Sequence, residues 1–276
     1  MVDKIKNDYL MEHPDEAVRL DIKTDPGAVR EQALLCGISP GARVLDVGCG
    51  SGRTSSILHE IVGPCGEVIG VDYSESRLDY ARQHFGGKPG ISFHFADFTR
   101  PMEDLGQFDY IWVRFVLEYF LNEAKDIVIN LTDNLKPNGR LCLLDLDHNS
   151  LNHYPLPEEM EEKLYAAFVS SAEQFNFDPY AGRKLYSYLY DQKYRDIRVE
   201  IVAHHLIYGE LRPQDEYNWT RKFFVSASKY QNVFIDYPGE INGFFRDFHR
   251  IFSDPRRFTY TPMIICSGTK PAEQIE

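Results

Sequence analysis

The run Val44-Leu45-Asp46-Val47-Gly48-Cys49-Gly50-Ser51-Gly52 constrains this chain more than any other segment. An apolar strand signal enters three glycines spaced by two, and a helix signal follows. Glycine is needed where a backbone turns tightly or where a ligand must lie against it. The start of the next helix presents N–H groups that no helical carbonyl satisfies. Such a unit belongs to an open sheet that binds its ligand at the strand ends.

Strand and helix signals alternate around this turn. Residues 43–47, 67–71, 91–96, 109–113 and 140–146 read as strands. Residues 55–62, 74–85 and 123–135 read as helices, with Ser74 a plausible N-cap and Lys136-Pro137-Asn138-Gly139 a stop signal. Ala28, Leu34 and Leu35 suit a short helix before the first strand. Strict alternation argues for a parallel sheet covered by helices on both faces, a doubly wound α/β fold. The chain has 276 residues, which suits one core domain with an elaboration.

That elaboration starts near residue 150. Of 37 aromatic residues, 24 lie in 151–276. Two helical stripes, Met160-Leu164-Phe168-Ser171-Phe175 and Ile241-Phe244-Phe245-Phe248-Ile251-Phe252, read as core-facing. Residues 197–208 and 258–267 read as two further strands. We therefore expect a ligand-binding core over 1–150, with an N-terminal helical segment. A helical substrate region and the last two strands are expected over 151–276.

The formal net charge of −12 disfavours a nucleic-acid substrate. The pairs Arg183-Lys184, Arg221-Lys222 and Arg256-Arg257 are short enough to be solvated faces. Five cysteines with no C-x-x-C pair suit a reducing compartment. The charged start lacks an apolar leader, and no stretch approaches 18 apolar residues, so a cytoplasmic protein without a membrane span is expected. A homo-oligomer is compatible with all of this.

The glycine spacing departs from the dinucleotide fingerprint G-x-G-x-x-G, because Arg53 stands where its last glycine belongs. Asp46 would also sit close to a pyrophosphate. It better suits a ligand bearing an ammonium group and no phosphate, which S-adenosylmethionine is. Asp72, at the end of the second strand, can accept from ribose hydroxyls. Tyr73 can lie against an adenine, and Asp97 can accept from its amine. Cys49 reads as a small buried residue of the turn. Arg19 is a candidate for the donor carboxylate.

These blocks, with Phe108-Asp109-Tyr110-Ile111 and Leu117-Glu118-Tyr119, resemble the class I S-adenosylmethionine-dependent methyltransferases of the small-molecule type, over residues 43 to about 146. The resemblance implies a seven-stranded, mostly parallel sheet with its last strand antiparallel and a helical lid insertion. It implies that Asp46 and the turn Gly48-Cys49-Gly50 hold the methionyl part, Asp72 the ribose, and Asp97 and Phe98 the adenine. Arg114 and Phe115 would stand on the sulfonium side. Glu118-Tyr119 replaces the Glu-His of many relatives.

Asp145, Asp147, His148 and His153 match no standard metal-ligand spacing, so no metal is expected. His148 is the candidate general base. His204 and His205 alternate along a strand, so at most one is expected to face a site. The expected activity is methyl transfer from S-adenosylmethionine to a small, partly apolar or aromatic acceptor, by in-line displacement driven by proximity. The rivals are an NAD(P)-dependent oxidoreductase and a non-catalytic protein that binds S-adenosylmethionine.

Overall fold

A computed structural model describes residues 15–227, 229 and 231–271. The charged start of the chain, and the side chains of Arg221 and Lys222, lie outside the described residues. Two helices, α1 (Glu16–Lys23) and α2 (Pro26–Cys36), precede the sheet. The alternation that follows is β1 (Arg43–Val47), α3 (Arg53–Val62), β2 (Glu67–Asp72), α4 (Glu75–Phe85), β3 (Ile91–Phe95), β4 (Phe108–Arg114), α5 (Ala124–Asp133) and β5 (Leu135–Leu146). Beyond it come β6 (His153–Tyr154), α6 (Glu158–Phe175), α7 (Leu185–Asp191), β7 (Arg195–Tyr208), α8 (Pro213–Ala227), α9 (Glu240–Phe252) and β8 (Phe258–Thr269).

The long strands run in the order β3-β2-β1-β4-β5-β8-β7, with β1 to β5 parallel and β8 antiparallel to both neighbours. The expected seven-stranded plan is therefore present. An eighth strand, the two-residue β6, pairs with Phe258 and Thr259 beyond the end of β5. The sheet order reverses between β1 and β4. The chain leaves β1 in one direction and returns to β4 on its other side, which opens a crevice at the strand C-termini.

Both sheet faces are buried, which explains the near-continuous apolar strands. Leu45, Val47, Ile111, Val113 and Leu143 pack on one face with Ile127 and Leu131 of α5 and Leu185 and Leu189 of α7. Val44, Val68, Trp112 and Leu144 pack on the other with Ala33, Leu58 and Leu78 of α2 to α4. Each Leu or Val so buried contributes roughly 1.5–3 kcal/mol. A third cluster lies after residue 150 and joins the two aromatic stripes, with Leu164, Phe177, Trp219, Phe234, Phe244 and Phe248 among its members.

Helix α2 begins where Asp25 accepts from the N–H groups of Gly27 and Ala28 and ends at Gly37, φ +80°. Its buried face does not include the residues that mark it in the sequence. Val29, Gln32, Ala33 and Cys36 are buried, whereas Leu34 is 72% exposed. No helix among the described residues is long and apolar enough to cross a membrane.

Candidate active site

The turn after β1 is built on left-handed glycines, with φ of +68°, +54° and +80° at Gly48, Gly50 and Gly52. L side chains adopt this region only at a cost. At Gly48 a Cβ would also stand 2.5 Å from Cγ2 of Val116. The turn is tied to the sheet by Cys49 N–H, which donates to the Val71 carbonyl (2.9 Å). Helix α3 starts at Gly52 with no side-chain cap, so its first N–H groups face the end of the turn.

Asp72 links the turn to the second strand. Its Oδ2 accepts from Gly50 N–H (2.9 Å), and its Oδ1 accepts from Ser74 N–H (2.9 Å) and from Arg77 Nη2 (3.0 Å). Both Asp72 and Arg77 are buried. The guanidinium of Arg77 also lies 5.2 Å from the Tyr73 ring centroid. Tyr73 meets Phe98 edge-on at 6.2 Å, and Phe98 meets Phe120 at 5.5 Å.

Asp46 sits two residues before the turn and accepts from Ser55 Oγ of α3 (2.5 Å). Burial raises its pKa to about 7, against the pull of Ser55 and Arg114. The folded chain thus keeps a proton on Asp46 that the unfolded chain has released between about pH 4 and 7. Stability from this group is full below that window and is lost as pH rises through about 7. Relative to Asp46→Asn, the wild type should lose about 2–3 kcal/mol of unfolding free energy between pH 5 and 7.5. Urea unfolding at several pH values tests this, and parallel profiles for the two proteins would refute it.

A narrow cleft of about 90 Å³ opens over these groups. Gly48, Cys49, Gly50, Asp72, Tyr73, Phe98, Arg114 and Phe115 line it together, as eight of the eleven expected donor-site residues. Its outer wall is α1, through Leu20 and Lys23. Asp46 lies behind the turn on Ser55. Asp97 is absent from the lining; its Oδ1 accepts from Thr99 N–H (3.2 Å) and its Oδ2 lies 3.4 Å from Arg100 Nε. Arg19 pairs with Glu16 through two nitrogens, at 2.7 and 2.6 Å.

A second cavity, of about 390 Å³, lies between the strand ends and the elements after residue 150. Tyr119, Leu164, Phe168, Phe177 and Trp219 supply apolar surface; Glu118, His204, His205, Arg212 and Asp215 supply polar groups. Arg19 lines this cavity and not the narrow cleft. Lys23, Arg114, Phe115 and Tyr119 line both. These four residues form the partition between the spaces.

Phe115 stands at the centre of that partition with φ +59°. Left-handed backbone in a bulky residue is strained and concentrates at functional sites. Three basic groups surround its ring: Arg114 at 4.1 Å, His204 at 4.7 Å and Lys23 at 5.9 Å from the centroid. Arg114 Nε donates to Gln32 Oε1 of α2 (2.9 Å). Burial, with Arg19 next, lowers the Lys23 pKa to about 7.

Sequence reading missed Lys23, which has no motif around it. Its one signal is its place a helical turn after Arg19. The two histidines both reach the large cavity, contrary to the alternation expected of a strand. The register of β7 on β8 shifts between Ala203 and His205, and such a bulge breaks the period of two. His148 lines neither space. It follows β5 with φ +52°, and its ring lies 5.1 Å edge-on from Tyr180. Nearby, Asp147 pairs with Arg183 and His153 bonds Thr259 and the Ser150 carbonyl.

A family model described as a methyltransferase domain matches residues 38–195. The chain belongs to that family. Its motifs mark that family as the class I S-adenosylmethionine-dependent methyltransferases. The chain is 31% identical over 137 residues to a demethylmenaquinone methyltransferase of Staphylococcus aureus, covering 48% of this chain and 53% of that one. The chain spans about half the length of the curated relatives it matches. Its fold is shared with a Bacillus halodurans protein provisionally named a methyltransferase (TM-score 0.58, 15% identity, 89% of this chain and 100% of that). It is also shared with phosphoethanolamine N-methyltransferase 2 of Haemonchus contortus in complex with S-adenosylmethionine (TM-score 0.52, 16% identity, 89% and 52%).

Proposed function

We propose that this chain methylates a small, partly apolar organic acceptor held in the larger cavity, with residues 1–150 holding the donor and 151–276 supplying the cover. The observation that carries this reading is the shared partition. A donor in the narrow cleft and an acceptor in the larger cavity would meet at Phe115. Bound S-adenosylmethionine supplies an activated methyl group there.

The chain's own groups fit such a donor. Gly48 and Gly50 offer bare backbone where a Cβ would close the cleft. Asp72 Oδ2 accepts from Gly50 N–H and keeps a lone pair for a ribose hydroxyl. Tyr73 and Phe98 offer aromatic surface to the adenine. Leu20 of α1 closes the cleft on its outer side. The aromatic surface after residue 150 would orient an acceptor in the larger cavity, which supports catalysis by proximity.

His204 takes the proton-accepting role first considered for His148. Its ring is 4.7 Å from Phe115 and it lines the acceptor space, so it can receive a proton from an acceptor hydroxyl. His204→Ala should lower kcat about 10–100-fold while S-adenosylhomocysteine affinity stays within twofold. Steady-state kinetics with calorimetry separate the two effects; unchanged kcat removes His204 from the mechanism.

The donor assignment is tested by calorimetry on the wild type. S-adenosylhomocysteine should bind with micromolar affinity or better, and NAD and NADP should not bind. The reverse pattern would replace this reading with nucleotide-dependent oxidoreduction. Tritiated-methyl transfer into a metabolite pool separates turnover from mere binding.

A further inference from the structure

We infer that the acceptor is a flat, conjugated molecule bearing an ionisable hydroxyl, a phenol or enol, and that it is methylated on oxygen. The inference rests on the reading above. It concerns the chemical class of the acceptor and the groups that select it.

The first ground is the balance of charge in the cavity lining. Its acids are already engaged within the protein. Glu118 Oε2 accepts from Asn149 Nδ2 (2.8 Å). Asp25 accepts from Gly27 N–H (2.8 Å) at the start of α2. Asp215 Oδ2 accepts from Arg212 Nε (2.6 Å). Among the cations, Arg19 is held by Glu16 and Arg212 by Asp215. Lys23 has no hydrogen bond or salt bridge to any described residue, and it stands over the Phe115 ring. Arg114 spends one nitrogen on a neutral partner, Gln32. Glu118 and Asp25 bond neutral donors and keep their charge in the wider cavity, but the two charged residues that line both spaces, Lys23 and Arg114, are both basic.

The second ground is the direction in which that charge acts. Burial does most to push the Lys23 pKa down; Arg19 and, least, Arg114 push the same way. An anion placed beside Lys23 and Arg114 would relieve that repulsion, and a cation would add to it. Glu16 and Glu118 also face Lys23, and their pull is insufficient to restore its ordinary pKa. A protonated amine acceptor would meet these cations together with the positive sulfonium. An oxyanion would be stabilised by all of them.

The third ground is shape. Phe115, Tyr119, Phe168, Phe177 and Trp219 give the same cavity aromatic surface. Tyr119 and Phe168 flank Phe177 at 5.4 and 6.2 Å between centroids. Flat conjugated bodies gain from such surfaces. Conjugation also acidifies the hydroxyl that the cations would hold.

The reaction balances without a further reagent. The acceptor O–H proton passes to His204 and on to solvent. The oxygen forms a bond to the methyl carbon as the carbon–sulfur bond breaks, and its electron pair stays on sulfur. The products are a methyl ether, a thioether and one proton. Lys23 and Arg114 hold the oxyanion, and His204 moves the proton.

The experiment uses the full chain with S-adenosylmethionine and a size-matched set of naphthols, naphthoic acids, naphthylmethylamines and hydroxynaphthoquinones. Tritium should enter the naphthols or hydroxynaphthoquinones as methyl ethers. Lys23→Met should raise KM for these acceptors at least tenfold, with S-adenosylhomocysteine affinity within twofold. A binding readout accompanies it. With S-adenosylhomocysteine present, the ionisation of bound 4-nitrophenol, read by its visible absorbance, should shift about one pH unit to the acid side. Lys23→Met should abolish that shift. Labelling confined to amines or carboxylates, a carbon-methylated product, or no labelling while S-adenosylhomocysteine binds would overturn the inference and leave the donor site standing. Loss of S-adenosylhomocysteine binding in Lys23→Met, with acceptor KM unchanged, would move Lys23 to the donor and overturn it as well. Failure of the wild type to bind S-adenosylhomocysteine would instead overturn the donor-site reading.

Discussion

An Asp72→Ala variant will lose about 3–5 kcal/mol of unfolding free energy and its measurable affinity for S-adenosylhomocysteine. The carboxylate is buried and satisfies Gly50 N–H, Ser74 N–H and Arg77 at once. Truncation removes the acceptor from two backbone donors and strips the buried Arg77 guanidinium of its carboxylate. The ring of Tyr73, which Arg77 overlies, loses support in the same step. Asp72→Asn keeps an oxygen for Gly50 and should cost less than half as much. Adding Arg77→Met to Asp72→Ala should recover part of the stability, because the stranded charge is then gone. Urea denaturation and calorimetry give both quantities. A loss below about 1 kcal/mol for Asp72→Ala would show that the turn stands without this link.

Gly52→Ala will be nearly as damaging, for a different reason. At φ +80° the added Cβ would lie 2.7 Å from the Ala81 Cβ and 2.9 Å from Cε1 and Cζ of Phe93. Those neighbours belong to α4 and β3, so the clash pushes α3 off the sheet. Left-handed strain of about 1–2 kcal/mol adds to about 1–3 kcal/mol of overpacking. The control is Gly37→Ala. Gly37 has the same left-handed backbone, φ +80°, with nothing within 4 Å of the new atom, so it should show the backbone cost alone. Thermal unfolding of the two variants separates strain from collision; equal losses would remove the packing argument.

Most of the sheet was legible because its strands are short apolar runs closed by glycine, proline or an acid. Strand β1 begins and ends where the sequence places it, at Arg43 and Val47. Helix α2 was found, though the residues that mark it in the sequence do not line its buried face. Leu34 points out because Val29, Ala33 and Cys36 share the buried stripe. The narrow cleft was legible where a motif fixes the backbone, from Gly48 to Gly50 and at Asp72. It was less so for Asp46 and Asp97, whose oxygens bond Ser55 and Thr99. Charge and residue type do not reveal which way a carboxylate turns. The larger cavity was the least legible. Lys23 and His204 come together over Phe115 through tertiary folding alone, and a bulge in β7 hides His205 from any rule of alternation.

Helix α1 touches both spaces, with Leu20 against the glycine turn, Arg19 in the larger cavity and Lys23 in each. It is held to α4 by Tyr80 Oη–H, which donates to Asp21 Oδ2 (2.8 Å). A ligand in either space would therefore contact this one helix, which couples the two spaces to each other.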